Sequence, residues 1–248
     1  MTSVSLEYYL KTLRLPVFLE DHVKIGKACA KDNACYKTYL LRLSEQEYLV
    51  RQNRKIETRI KKAKLPSLKT FDSFDFKALP SLRKQTILEL SKGDYLDRNE
   101  NIIALGTSGT GKTHTAIALG LSACQQGKSV YFTQASQLVH MLLEAREERE
   151  LLRLKKKLLS YDLLIIDELG FVPFSKSGAE LLFDIFSGRY EKGSVIITSN
   201  LPFSDWTEIF GCERLTGALL DRLTHHVHIL EMNGESYRLS NSKKGKGP

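Results

Sequence analysis

The run Gly106-Thr107-Ser108-Gly109-Thr110-Gly111-Lys112-Thr113 sets three glycines, a lysine and a hydroxyl at the spacing G-x-x-x-x-G-K-S/T. Glycines let successive backbone N–H groups turn inward, and a helix starting here adds partial positive charge. Lys112 would then reach the outer phosphates of a bound nucleotide, and Thr113 would offer its hydroxyl to magnesium. The chemistry this implies is binding of ATP with Mg2+. Farther on, four apolar residues, Leu163 to Ile166, lead into Asp167 and Glu168. Open α/β sheets hold their ligands at the carboxyl ends of their strands. Asp167 is therefore expected to hold magnesium through its water shell, and Glu168 to orient the water that attacks the γ-phosphate. A third strand, Val195 to Asn200, ends in small polar groups at the same edge. Asn200 is expected to hydrogen-bond that water or a γ-phosphate oxygen, although asparagine at a strand end also serves as a turn residue.

These runs need a scaffold, and the hydrophobic pattern supplies one. Short apolar strands at 102–105, 129–133, 163–167, 194–199 and 225–230 alternate with helical stretches at 112–126, 135–159 and 177–191. Strands that are apolar on both sides imply a parallel sheet covered on both faces. The expectation is an α/β fold, a P-loop parallel sheet flanked by helices, with residues 234–239 pairing beside the last strand. Before it, residues 1–66 read as a small all-helical domain, with helices at 5–14, 17–31 and 35–43. A longer helix is opened by a capping box of Ser44 and Glu47 and ended by Pro66. Residues 65–76 read as a linker that packs its aromatics on the ATPase domain (67–240), and residues 241–248 as a disordered tail.

Charge divides the chain as sharply as pattern does. Residues 1–70 hold 15 Lys/Arg against 7 Asp/Glu, whereas the rest hold 22 against 22, so the whole net charge of +8 lies in the helical part. On the long helix Leu49, Ile56, Ile60 and Ala63 share one side, and Arg51, Arg54, Lys55, Arg59 and Lys62 share the other. Such a stripe fits contacts along a phosphate backbone, and it equally fits a face that keeps a helix soluble. Tyr48 is the one aromatic near it, which favours double-stranded DNA over the stacking platforms that single strands use.

Other residue groups carry weaker signals. Residues 211–223 place Arg214 and Arg222 before the last strand, where an arginine can stabilise transition-state charge on a neighbouring subunit's ATP. His225, His226 and His228 are expected on opposite faces of a strand, unsuited to sharing a metal. The cationic half of 135–159 either meets DNA or forms surface pairs. Four cysteines without a Cys-x-x-Cys pair, and no long apolar run or signal segment, point to free thiols, no membrane span and a cytoplasmic location.

The motifs GTSGTGKTH, LLIIDELGF, VIITSNLPF and ALLDRL, in that order, resemble the AAA+ ATPases of the DnaC helicase-loader branch. The pieces LKTLRLP, SEQEYLVRQNRKIETRIKKAKLP and KTFDSFDF are similar to the IstB group within it. That resemblance implies Asn200 as a sensor and Arg222 as the intersubunit arginine, with Arg214 in reserve. The chain departs from the broader AAA+ pattern by ending soon after its last strand, so no C-terminal helical lid is expected, in agreement with that branch. The implied activity is hydrolysis of ATP by a homo-oligomer, a ring, spiral or filament assembled on DNA, which assists DNA transposition by preparing the target and activating a partner transposase. A DnaC-like replicative helicase loader is the alternative within the branch. A P-loop kinase fits less well, because Glu168 is suited to activating water rather than excluding it.

Overall fold

A computed structural model describes residues 5–234 together with 236 and 237, the Lys77 side chain excepted. The chain groups into two compact units that divide between Thr58 and Arg59.

The first unit is helical. Helix α1 (Leu6–Thr12) starts at Ser5, whose hydroxyl accepts the Tyr8 N–H at 3.4 Å. Helix α2 (Pro16–Lys31) starts at a proline, whose missing N–H removes one of the donors that a first turn leaves unpaired. Helix α3 (Tyr36–Ala63) runs unbroken for 28 residues. The expected helix start at Ser44 is therefore corrected. No Gly or Pro interrupts residues 36–63, and Ser44 sits inside the helix. Glu47 caps a different helix: its Oε2 accepts the Val17 N–H of α2 at 2.9 Å, and its Oε1 accepts from Arg51 Nε at 2.7 Å. With Glu47 buried, these two donors satisfy a carboxylate that would otherwise be costly to desolvate. Ile25, Cys29 and Leu43 form the core of this unit. Leu49, assigned above to the apolar face, is exposed.

The second unit begins earlier than Pro66, because Ile60, Ala63 and Leu65 pack into its core. Five parallel strands form its sheet: β1 (Asn101–Leu105), β2 (Val130–Gln134), β3 (Leu163–Leu169), β4 (Ser194–Ser199) and β5 (Val227–Glu231). Their order is β2-β3-β4-β1-β5. Alternation sends Ile102, Leu163, Ile165 and Ile196 to one face and Ile103, Leu164, Ile166 and Ile197 to the other, all buried. The first face is covered by α4 (Lys84–Ser91), α5 (Asp94–Asp97) and α6 (Lys112–Gln125). Phe71 and Phe76 of the linker, on short 3-10 turns, and Phe74 between those turns also pack there. The second face is covered by α7 (Ala135–Glu147), α8 (Leu151–Leu159), α9 (Lys176–Arg189), α10 (Trp206–Phe210) and α11 (Glu213–Thr224).

Two expectations change here. The stretch 135–159 is two helices, because Arg149 adopts a φ of 62° and turns the chain between them. The last strand starts at Val227, after His225 and His226. Of the expected pairing over 234–239, residues 235, 238 and 239 fall outside the described residues and residues 234, 236 and 237 carry no strand, while the tail 241–248 falls wholly outside them. Among the described residues no helix is long and apolar enough to cross a membrane.

Arg189 ties the second face together. The residue is 2% exposed, and its guanidinium donates to Leu158 O at 2.9 Å, Ser194 O at 2.8 Å and Asp162 O at 3.2 Å. It thereby joins the end of α8 to the starts of β3 and β4. Burial draws its pKa down to about 10, partly opposed by Asp162, so the group stays charged at neutral pH. Arg189→Ala leaves those carbonyls without their donor and should lower unfolding free energy by about 2–4 kcal/mol. Urea titration checks this, and a loss below about 0.5 kcal/mol would show that the three bonds contribute nothing net.

Candidate active site

Strand β4 lies between β3 and β1, so the segments that leave β1 and β3 flank the end of β4. The loop after β1 turns on glycine. Gly109 and Gly111 have φ values of 83° and 96°, which side chains other than glycine rarely adopt. Thr110 Oγ1 donates to Thr107 O at 2.9 Å, and Lys112 Nζ donates to Gly106 O at 2.6 Å and Thr107 O at 2.7 Å. Gly111 precedes the first turn of α6 and leaves Thr113 facing β3. Thr113 Oγ1 donates to Asp167 Oδ1 at 2.9 Å.

In a regular strand Asp167 and Glu168 would point to opposite faces. The pairing of β3 with β4 breaks here: Ile166 pairs with Ile197 and Leu169 with Ser199, so two residues of β3 oppose Thr198 alone. That is a β-bulge, which re-aims side chains at a sheet edge. Glu168 absorbs it with a φ of 59°, strained for a residue with a side chain. Thr198 holds the bulge, its Oγ1 donating to Asp167 Oδ1 at 2.6 Å and accepting the Glu168 N–H at 3.0 Å. Ser199 Oγ donates to Leu169 O at 2.6 Å just beyond it. Asp167 is 3% exposed, with two hydroxyls on its carboxylate, whereas Glu168 is exposed and accepts from Gln134 Nε2 at 3.1 Å.

The result is a cleft of about 480 Å³ lined by residues 108–114 of the loop and α6, by Glu168, Thr198 and Asn200, and by linker residues including Phe74 and Leu79. The structure thus brings together Lys112, Thr113, Asp167, Glu168 and Asn200. Converging hard oxygens on Thr113 and Asp167 are the kind of donor set that suits magnesium, and a glycine-lined loop of this form is suited to cradling phosphates.

Other sequence candidates lie elsewhere. Arg222 Nη1 donates to Ser187 Oγ at 3.1 Å, and its guanidinium lies over the Phe183 ring at 4.7 Å. It borders a second cleft with Asn101, at the start of β1. At about 3.3 Å per residue, the length of β1 separates that cleft from the loop around Lys112. Arg214, in the first turn of α11, is exposed. In the first unit Arg51 is engaged by Glu47 and by the Arg14 carbonyl, while Arg54 and Lys55 are exposed. In the second unit Lys62 is exposed and Arg59 lies beside Gly127 at the end of α6. The histidines do not alternate on one strand. The rings of His225 and His226 are 4.1 Å apart and their donor atoms lie within 4.8 Å of a Glu191 carboxylate oxygen, whereas His228 Nε2 is 2.7 Å from Glu100 Oε2.

Thr198 and Gln134 escaped the sequence reading. The signal for Thr198 was a hydroxyl closing the apolar run Val195–Ile197, two residues before Asn200. Thr198→Val keeps the shape but removes the bond to Asp167 and the acceptor for Glu168 N–H. If this cleft hydrolyses ATP, turnover should fall about 10- to 100-fold, the worth of a hydrogen bond to a charged group, with Thr198→Ser restoring most of it. Steady-state phosphate release checks this, and parental turnover by the valine variant would contradict it.

Residues 8–245 match the family described as IstB-like ATP binding protein. The ATP-binding protein of insertion sequence IS5376 from Geobacillus stearothermophilus is 42% identical over 231 residues, covering 93% of this chain and 92% of the relative. That of IS21 from Pseudomonas aeruginosa is 40% identical over 240 residues, covering 96% and 90%. Among solved structures, AMPPCP-bound DnaA from Aquifex aeolicus superposes with a TM-score of 0.59 at 21% identity, over 73% of this chain and 55% of that one. DnaI superposes with a TM-score of 0.56 at 14% identity, over 66% and 90%. The fold is that of the AAA+ proteins, and the chain belongs to the IstB-like family of insertion-sequence ATP-binding proteins.

Proposed function

We propose that this chain hydrolyses ATP as it assembles with copies of itself on double-stranded DNA, and that the assembly serves a partner transposase. The observation that carries the ATPase reading is the bulge at Asp167-Glu168, which buries one carboxylate against Thr113 and leaves the other open in the same cleft. Buried Asp167, with Thr113, is suited to a magnesium ion, which when bound would neutralise charge on the phosphates. Glu168, strained into the open and steadied by Gln134, is suited to orienting water. Lys112 is the cation for the outer phosphates, with residues 107–111 donating backbone N–H groups, and Asn200 holds the water or a γ-oxygen from the opposite side. Arg222 serves the neighbour's site in this proposal, with Arg214 as its alternative.

DNA and transposase enter from a different kind of support. The close relatives are named for insertion sequences, which move as DNA. The net positive charge lies before residue 71. The exposed Arg54, Lys55 and Lys62 are the residues we assign to duplex phosphates, with Arg51 and Arg59 contributing less because each has a neighbour within its own unit.

Phosphate release and nucleotide binding, each measured with and without duplex DNA, test the reading. The parent should hydrolyse ATP faster with duplex. Lys112→Ala should lose nucleotide binding, while Glu168→Gln should bind ATP and lose hydrolysis by at least about 100-fold. Equal turnover by Glu168→Gln and the parent would remove Glu168 from this role. Stimulation by single strands and not by duplex would favour a helicase loader.

A further inference from the structure

The chain that leaves β5 crosses directly over the loop that follows β1. Met232 N–H donates to Leu105 O at 2.7 Å, continuing the pairing of β5 with β1. Its carbonyl oxygen stands 2.1 Å from where a Cβ on Gly106 would be. Thr107 Oγ1 donates to Gly234 O at 3.0 Å, and Tyr237 N–H donates to Gly109 O at 3.1 Å. Ser236 Oγ occupies the space of a Cβ on Gly109, again at 2.1 Å. From the linker side, Ser81 Oγ donates to Asn233 O at 3.3 Å, and Gly234 packs against Leu79. Gly106 and Gly109 are thus required by this strap as well as by any phosphate they cradle.

The strap carries one aromatic ring to the cleft. Tyr237 lines it and is 46% exposed, a large apolar area to leave in water. Phosphates seated on residues 106–113 would leave the base of a nucleotide in the remaining part of the cleft. That part is lined by Pro66, Phe74, Ala78, Leu79 and Ile117, apolar surfaces suited to the flat faces of a base rather than to its charged end. We propose that Tyr237 is a base-binding residue, its ring stacking on the purine of the bound nucleotide. The proposal rests on the nucleotide-binding reading above and adds to it the group that recognises the base. Because the Tyr237 backbone is fastened to Gly109, the residue that meets the base is tied to the loop that meets the phosphates.

Calorimetric titration with ATP and with inorganic tripolyphosphate, both with magnesium, separates the two roles of the strap. Tyr237→Ala should weaken ATP binding about tenfold and leave tripolyphosphate binding unchanged, since stacking on an aromatic ring is a base-dependent gain. Tyr237→Phe should retain parental affinity for both. Equal weakening of ATP and tripolyphosphate would overturn the proposal, showing that Tyr237 only fastens the loop. So would parental ATP affinity in Tyr237→Ala. A parent that binds neither ligand defeats the nucleotide-binding reading itself, and the base contact with it.

Discussion

A carboxylate buried to 3% exposure is the group on which this site depends. A buried carboxylate without donors is costly by several kcal/mol, on the order of the penalties for breaking buried ion pairs. Two threonine hydroxyls supply the donors, Thr113 from the first turn of α6 and Thr198 from β4. Each also fixes something else. Thr113 fastens the start of the helix that follows the glycine loop, and Thr198 holds the backbone of Glu168. The strand order makes this possible, since β4 lies between the two strands whose ends carry the loop and the acids.

The bulge follows from the same demand. An unbroken strand would send the second carboxylate away from the cleft, and two adjacent acids would not serve one reaction. One extra residue on β3 turns both toward the same edge, at the expense of left-handed backbone at Glu168. Strain at such a position persists because its surroundings over-determine it: Thr198 grips the N–H, Gln134 the side chain, and Ser199 the carbonyl of Leu169. The fold around it is built to keep this edge still. The sheet is buried on both faces, and Arg189 locks the starts of β3 and β4 at the far end.

Much of this was legible in the sequence, for a definite reason. Glycine spacing and apolar runs report backbone conformation and burial directly, so the loop 106–113, the strands and the acids stand out. The bulge does not, because strand periodicity carries no mark of an inserted residue, and Thr198 looked like one more strand position. Side-chain partners far apart in the chain were equally hidden. Glu47 satisfied every local rule for a capping box with Ser44, yet its partner is Val17 on another helix. Arg51 looked like its neighbours on the basic stripe until its bond to Glu47 set it apart. The contacts of Met232, Gly234 and Tyr237 with the glycine loop join segments more than a hundred residues apart, beyond the reach of any local pattern.

Magnesium dependence of nucleotide affinity tests the role of Asp167 most directly. A nonhydrolysable ATP analogue would be titrated into the parent and into Asp167→Asn, each with magnesium and with a chelator. If Asp167 and Thr113 hold the ion, magnesium should tighten binding to the parent by about tenfold or more and leave Asp167→Asn nearly indifferent to the metal, with Asn accepting the hydroxyls but lacking the charge. An Asp167→Asn variant that keeps the parent's full response to magnesium would contradict the account.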